Sequence, residues 1–510
     1  MSTILSRLTT TRIAWRALTA AIAAVAAVTG SFAYAGLSDG FLVEPASTFV
    51  VDATPAIVVN AVLETLGSLA APASFLLALV LAVAVLTVLV LLALEVEAYA
   101  DAQYLAVPLT AGAVWFASAL ATGNPIAATA AAVPAAAVVG VVSVAAAHDP
   151  LSVRRDRTVD RNRRATLQTG FATLSATGIG YVVGRRRTPD SSVPYLDGGI
   201  SPPSEEQSLL TRAENGAFDL PDAPGLVSRI GEFYTIDINT IDPVLERDDW
   251  ELSVTGLVDD ELTIDYEDLR DRDADRFYST LRCVGEDLND REMDTAVWTG
   301  VPVADLLAEA TPAGEAGHVV AHAVDGFWNT ITLEELERSY LVYGMNGRVL
   351  PREHGHPVRL IVPGNWGEVN VKWITELELV AEDRDGYWEE RGWDGTGEVE
   401  AVAKIWSVDR DGGAVTVGGH AYGGLAGIDA VEVSIDGGET WTEADLSLEP
   451  DGESEFRDAW RQWRHSFEPS EGSHDVVVRA IDGSGGRQIE EPSGSRPDGP
   501  TGWVSRTIEE

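Results

Sequence analysis

The chain has 510 residues, more than three times a typical domain of about 150, so several domains are expected. Its net charge of −43 is unevenly spread: residues 1–190 hold 12 arginines against 11 acidic residues, whereas residues 191–510 hold 24 basic against 68 acidic ones. A surface this acidic repels phosphate backbones and excludes nucleic-acid binding, and a single cysteine, Cys283, excludes an intrachain disulfide, a four-cysteine metal site and c-type haem attachment through two thioethers.

Only two lysines, Lys372 and Lys404, stand beside 34 arginines. Acid-rich, lysine-poor usage suits a halophilic setting, where counterions screen the self-repulsion. The acidic part is also rich in Val, Ile, Trp and Tyr, which argues for folded domains rather than an acidic tail.

Five apolar windows, 17–36, 73–94, 103–121, 125–147 and 165–184, are predicted to span a membrane. Arg7, Arg12 and Arg16 precede the first, and six arginines between 154 and 164 separate the last two. The positive-inside rule places both clusters in the cytoplasm, so the region after the fifth span is expected on the extracytoplasmic side of the cell membrane. Ala33-Tyr34-Ala35 also reads as a signal-peptidase site; cleavage would leave four spans and the same outcome. No histidine lies within the windows, so this region reads as an anchor or docking region without a b-type haem.

Residues 1–188 are thus read as an all-α transmembrane region, and Pro-, Ser- and Gly-rich 189–225 as a linker. Residues 226–395 mix strand-like runs (250–254, 358–362) with helical ones (303–310, 333–339), an α+β pattern. In 400–510, alternating Val431, Val433 and Ile435 before Asp436-Gly437-Gly438, and Val476–Ile481 before Asp482-Gly483, give the cadence of an antiparallel β-sandwich.

Cys283 lies in STLRCVGEDLND, after a strand-like run and before WTGVPVADLLAEA at 298–310. Here the sequence resembles the sulfite oxidase family of molybdopterin-dependent oxidoreductases, whose members carry one cysteine at a strand-to-loop position ahead of such a W-T-G-V-P block. The resemblance extends to GEFYTIDINTIDPVLERDDWELSVTGLVDDELTIDYEDL at 231–269 and to YGMNGRVLPREHGHPVRLIVPGNWGEVNVKWITELEL at 343–379. The stretch 413–482 resembles the family's C-terminal immunoglobulin-like dimerisation domain.

The resemblance implies that Cys283 is the protein's thiolate ligand to molybdenum, a metal that at high oxidation state favours soft sulfur donors. It implies that His354, Arg359 and Lys372 hold the anionic pterin, that Gly364 and Gly367 let backbone approach it, and that Asn239 contacts pterin or metal. Two departures concern the substrate. Sulfite-oxidising members place one arginine in an F-x-x-R-N-H segment and another five residues after the cysteine; here the segment reads FYTIDIN and position 288 is Leu, with Arg282, Arg461 and Arg464 as candidate replacements. The tyrosine that often follows D-G in the family is replaced by Phe327 or Trp328.

The expected protein is a membrane-anchored oxidoreductase transferring an oxygen atom to or from a small molecule at a molybdenum–molybdopterin cofactor. With no haem or iron–sulfur motif in the chain, its electrons pass to or from a separate carrier: a small copper protein, a cytochrome or a quinol. A homodimer is expected from the C-terminal domain. The alternatives are reduction of an S-oxide or N-oxide with the same cofactor, and a non-catalytic surface binding protein on the same fold.

Overall fold

The computed structural model describes residues 2–38, 40–66, 69–147, 178, 180–183, 193–239, 241–394, 397–450 and 457–509. The chain divides into two units, one of residues 1–190 with 237–244, the other of residues 191–236 with 245–510.

The first unit is helical, with helices Ser2–Ala35, Glu44–Ala53, Ala56–Leu66, Ala70–Ala100, Ala106–Thr122 and Pro125–Ala147 among the described residues. Segments Ile13–Ala35, Pro72–Ala100 and Pro125–Val144 are long and apolar enough to cross a membrane. These match three of the five expected windows. The 103–121 window yields a shorter helix of 17 residues, Ala106–Thr122, and most of the 165–184 window lies outside the described residues, as does the arginine cluster between 154 and 164. A pair bent by 106°, Glu44–Val51 with Ala56–Val62, also passes the length and composition test together, although no window was assigned to it. Alanine packs the unit: Ala20, Ala23, Ala24 and Ala27 are buried with Ala131 and Ala135. A Cβ on Gly30 would lie 2.2 Å from the carbonyl oxygen of Ala130, so the first and last of these helices cross where only glycine fits. Ile241, from the 237–244 segment, is buried in this cluster.

Before residue 400 the second unit contains the strands β1 (Glu251–Gly256), β2 (Leu262–Asp265), β3 (Asp275–Arg282), β4 (Met293–Pro302), β5 (His318–Ala323), β6 (Trp328–Thr332), β7 (Tyr340–Met345), β8 (Arg348–Val349), β9 (Arg359–Ile361) and β10 (Ile374–Val380). One sheet has the order β2-β1-β10-β5-β6, with β1 and β10 parallel and the other pairs antiparallel. The other runs β3-β4-β7-β8, with β9 also on β7. Helix Val303–Ala310 buries Val303, Leu306, Leu307 and Ala310, the i, i+3, i+4, i+7 stripe its sequence displays. Beyond residue 400, strands Ala414–Tyr422 and Arg461–Phe467 belong to one antiparallel sheet and Ile428–Ser434 and Ser473–Asp482 to another. Val417 and Trp463 from the first join Val431, Val433, Val476 and Val478 from the second in one buried cluster.

The 189–225 linker reading needs correction. Residues Ser204–Gly216 form a helix packed into the unit: Glu206 is buried, accepting from the Thr299 hydroxyl (3.0 Å), and Ala213 joins the core. Its polar sequence hides this, because only Ala213, Leu209 and Leu210 carry its apolar contacts beside the buried Glu206 carboxylate.

The β3 strand and the C-terminal strands share a core in which Tyr278, Met293 and Trp366 meet Trp406, Tyr422 and Trp460. Across this seam lies a fully buried charge triad: Arg282 Nε is 2.9 Å and Lys404 Nζ 2.5 Å from the two carboxylate oxygens of Glu286. Burial lowers the Lys404 ammonium to about 8, against the pull of Glu286. Removing one member of a buried charge cluster leaves a charge poorly compensated. Lys404→Met is therefore expected to destabilise this unit by about 3–5 kcal/mol, read as a lowered thermal unfolding midpoint.

Candidate active site

Cys283 is the first residue after β3, in the loop that returns to β4; its amide donates to the Glu292 carbonyl (2.9 Å) and its sulfur accepts from the Gly285 amide (3.4 Å). It is buried, and burial, aided by the charges of Glu292 and Glu286, pushes the thiol well above its usual range. A thiolate here needs a positive centre to hold it. Arg282 and Glu286, on either side of Cys283, are the triad residues that bind this loop to Lys404.

The H-G-x-P-x-R and V-K-W residues form a second group. Arg359, on β9 and buried, donates to the carbonyls of His354 (3.2 Å) and Asn370 (2.8 Å), and Lys372 donates to the carbonyl of Glu353 (2.9 Å). Gly355, at φ +104°, lets these segments meet, since a Cβ there would fall 3.0 Å from the Cβ of Lys372 and 3.1 Å from that of Arg359. Burial, followed by the charges of Arg359 and Lys372, lowers His354 to about 3, so its ring is neutral near pH 7.

Phe233 and Tyr234 connect the two groups. Phe233 packs edge-on against His354 (ring centroids 5.3 Å apart) and Trp298 (5.9 Å) and stacks on Tyr234 (5.6 Å). The Tyr234 amide donates to Asp294 (2.8 Å), which also accepts from the Ser228 hydroxyl. A Cβ on Gly367 would lie 2.7 Å from the Tyr234 hydroxyl and 2.9 Å from the Arg282 carbonyl oxygen, so glycine makes room for both. Burial raises the Tyr234 phenol well above its usual range, with Cys283 adding to the shift and Arg359 opposing it.

The remaining expected residues have the following surroundings. Gly364, at φ +81°, faces Leu425 of the C-terminal part, 2.5 Å from where its Cβ would be; it fits a domain seam. Asn239 falls in the 237–244 segment that groups with the first unit. Leu288 packs on the C-terminal cores. Arg282 is fully buried and committed to Glu286 and to the carbonyls of Glu400 and Pro500. Arg461 donates to the carbonyls of Ile428 and Ser447, and Arg464 lies over Phe218, so neither replaces a pocket arginine. Phe327 and Trp328 pack on Tyr387. Tyr234 and Gly355, which the sequence reading did not single out, lie inside the quoted motifs; only the fold reveals what they touch.

The donor set fits a metal carried on an anionic organic cofactor. The buried thiol needs a cation, and the cationic group of Arg359 and Lys372 suits a phosphate-bearing molecule.

Comparison with known proteins agrees with this chemistry. The family described as "Oxidoreductase molybdopterin binding domain" matches residues 239–388, and "Mo-co oxidoreductase dimerisation domain" matches 396–493. The chain is 26% identical to a sulfite oxidase of Arabidopsis thaliana over 356 residues, covering 56% of this chain and 90% of that protein. It is 28% identical to the mitochondrial sulfite oxidase of Homo sapiens over 294 residues, 47% of this chain and 53% of the human one. It is 30% identical over 168 residues to an uncharacterized oxidoreductase, YuiH, of Bacillus subtilis, covering 31% of this chain and 83% of the bacterial protein. The chain thus spans about half the length of the mammalian relatives it matches.

Burial raises Asp294 to about 7, above its usual 3.8. The folded chain then holds a proton that the unfolded chain releases, so this contribution to stability is present below pH 4 and is lost as pH rises through 7. In Asp294→Asn, stability is expected to fall less steeply than in wild type between pH 4.5 and 6.5, by about 1.4 kcal/mol per pH unit. Thermal unfolding midpoints across that range check it.

Proposed function

The chain belongs to the sulfite oxidase family of molybdopterin-dependent oxidoreductases, and on that premise we propose a membrane-anchored oxygen-atom-transfer enzyme with its site outside the cytoplasmic membrane and with Cys283 as the metal's protein ligand. The observation that carries this reading is the buried Cys283 on the β3–β4 loop, together with the Arg359 and Lys372 side chains that Gly355 lets come together. When bound, the molybdenum cofactor supplies a two-electron redox couple and exchanges one oxygen atom with substrate.

The chain's own residues do the rest. Lys372 and Arg359 neutralise and orient the cofactor's anionic part, and the neutral His354 adds no further positive charge between them. The Arg282–Glu286–Lys404 triad fixes the loop so that the Cys283 sulfur points one way. The Tyr234 hydroxyl, crowded onto Gly367, stays protonated at neutral pH and serves as a donor to a bound oxygen-containing substrate. Electrons leave or enter singly through an external small copper protein, cytochrome or quinol, and the C-terminal domain pairs two copies of the chain. Its two-sheet arrangement fits the immunoglobulin-like reading.

Two features favour a neutral substrate over sulfite, and with it the S-oxide or N-oxide reductase alternative. Ile236 and Leu288 stand where sulfite-oxidising relatives carry arginines, and Arg282, Arg461 and Arg464 are bonded elsewhere. The acidic surface also repels a dianion.

Cys283→Ser is expected to abolish turnover while pterin stays bound, whereas Arg359→Ala combined with Lys372→Ala should lose pterin, as measured by metal and pterin content of the purified full chain. Wild-type protein with neither molybdenum nor pterin would support the non-catalytic alternative. Two absent arginine contacts, each worth about 1.5–3 kcal/mol, imply a kcat/KM for sulfite about two to four orders of magnitude below a dedicated sulfite oxidase. Steady-state kinetics in molar salt with sulfite, sulfoxides and N-oxides tests this, and efficient sulfite turnover would refute the neutral-substrate reading.

A further inference from the structure

Gly285 follows Cys283 closely in the β3–β4 loop, and nothing in the backbone requires a glycine there. Its φ lies outside the left-handed region, unlike that of Gly355 or Gly364. Nor does it mark a close approach in the manner of Gly367. A Cβ on Gly285 would meet only two atoms within 4 Å, the Cys283 sulfur at 3.7 Å and Cη2 of Trp393 at 3.8 Å, both at ordinary contact distance. Gly285 is exposed, whereas Cys283 is buried and Trp393 half-buried. The loop therefore leaves a notch the size of one methyl group, open to solvent, between the sulfur and an indole ring.

The ring that walls this notch is held from several directions. The Trp393 amide donates to the Trp388 carbonyl (3.2 Å), and the two indoles meet edge to face with centroids 6.4 Å apart. On one flank the Gly392 carbonyl accepts from the Arg496 guanidinium (3.1 Å); on the other the Asp394 amide donates to the Pro497 carbonyl (3.3 Å). A wall fixed in this way can discriminate between shapes. It also has a chemical preference. Only one ring atom comes within 4 Å of the notch, so the indole presents its edge. The edge is the positive part of the ring quadrupole and suits a polarisable sulfur, whereas a cationic nitrogen needs the face.

We propose that Gly285 and Trp393 select an organic methyl sulfoxide as substrate, its methyl group seated on Gly285 and its sulfur against the Trp393 edge. The inference deepens the neutral-substrate reading given above and rests on it. In the reaction the S–O bond breaks, sulfur gains two electrons and becomes a thioether, and the oxygen leaves with two protons as water. The two electrons come from the external carrier by way of the cofactor. An anion without an alkyl arm leaves the notch empty and gains nothing from the indole.

Two variants of the full-length, detergent-solubilised chain test this from opposite sides. Gly285→Ala sets a permanent methyl group in the notch, and Trp393→Leu keeps an apolar wall without the aromatic edge. With molybdenum and pterin content matched to wild type, and reduced benzyl viologen as donor in molar salt, kcat/KM is measured for dimethyl sulfoxide and for pyridine N-oxide, which has no methyl group. The ratio of the two should fall about tenfold in Gly285→Ala, the order of one methyl group in a packed site. In Trp393→Leu it should fall about threefold to tenfold, chiefly through KM. Trp441→Leu, whose ring packs on Trp503 and Arg479 in the C-terminal domain, should keep the wild-type ratio. A wild-type ratio in both Gly285→Ala and Trp393→Leu overturns the proposal and leaves the neutral-substrate reading intact. Loaded wild-type chain that reduces pyridine N-oxide but no sulfoxide does the same. Loaded wild-type chain that turns over sulfite alone overturns both. Where Trp393→Leu does not fold, Gly285→Ala decides, because its added methyl meets no atom closer than 3.7 Å.

Discussion

The contact on which the site depends is between charges that never meet water. Arg282 and Glu286 straddle Cys283 in the β3–β4 loop, and Lys404 reaches Glu286 from the C-terminal part of the chain. Desolvating three charged side chains is expensive, and a packed apolar cluster of similar volume is often equally stable or more so. What the triad provides is direction: Glu286 takes Arg282 on one carboxylate oxygen and Lys404 on the other, so the loop has little freedom to slide. The C-terminal part consequently helps to hold the cysteine loop in place.

A second constraint is steric. Gly355 and Gly367 mark the two places where segments approach too closely for a side chain, one joining Lys372 to Arg359, the other joining the Tyr234 hydroxyl to the Arg282 carbonyl. Through the stacked pair Phe233 and Tyr234 these two junctions are mechanically linked, because Phe233 touches His354 while Tyr234 touches Gly367. Asp294 anchors the pair from behind by accepting the Tyr234 amide. Displacement at either glycine would be felt at the other group through two aromatic rings.

Much of this was legible in the sequence wherever the signal is local. The helix at 303–310 follows from apolar spacing, β1 and β9 from short runs rich in β-branched residues, and Cys283 from its place between a strand and a W-T-G-V-P block. What escaped depends on contacts between distant segments. The Tyr234 hydroxyl acquires its place from Gly367, and the triad draws together positions 282, 286 and 404. That Gly364 faces Leu425 is likewise a contact between distant segments that no local pattern announces. The helix at 204–216 carries too little apolar periodicity to separate it from a polar connector.

The two lysines give the chain an uncommon chemical property. Lys404 is wholly enclosed and Lys372 is half-buried within the cationic group, while every other basic side chain apart from the histidines is an arginine. Amine-directed chemistry, which decorates the outside of most proteins at many points, has almost no surface to react with here. Apart from a terminal amine, an acylating reagent or an aldehyde support would address the site first, so progressive labelling of this protein would read out access to Lys372 instead of its general exterior.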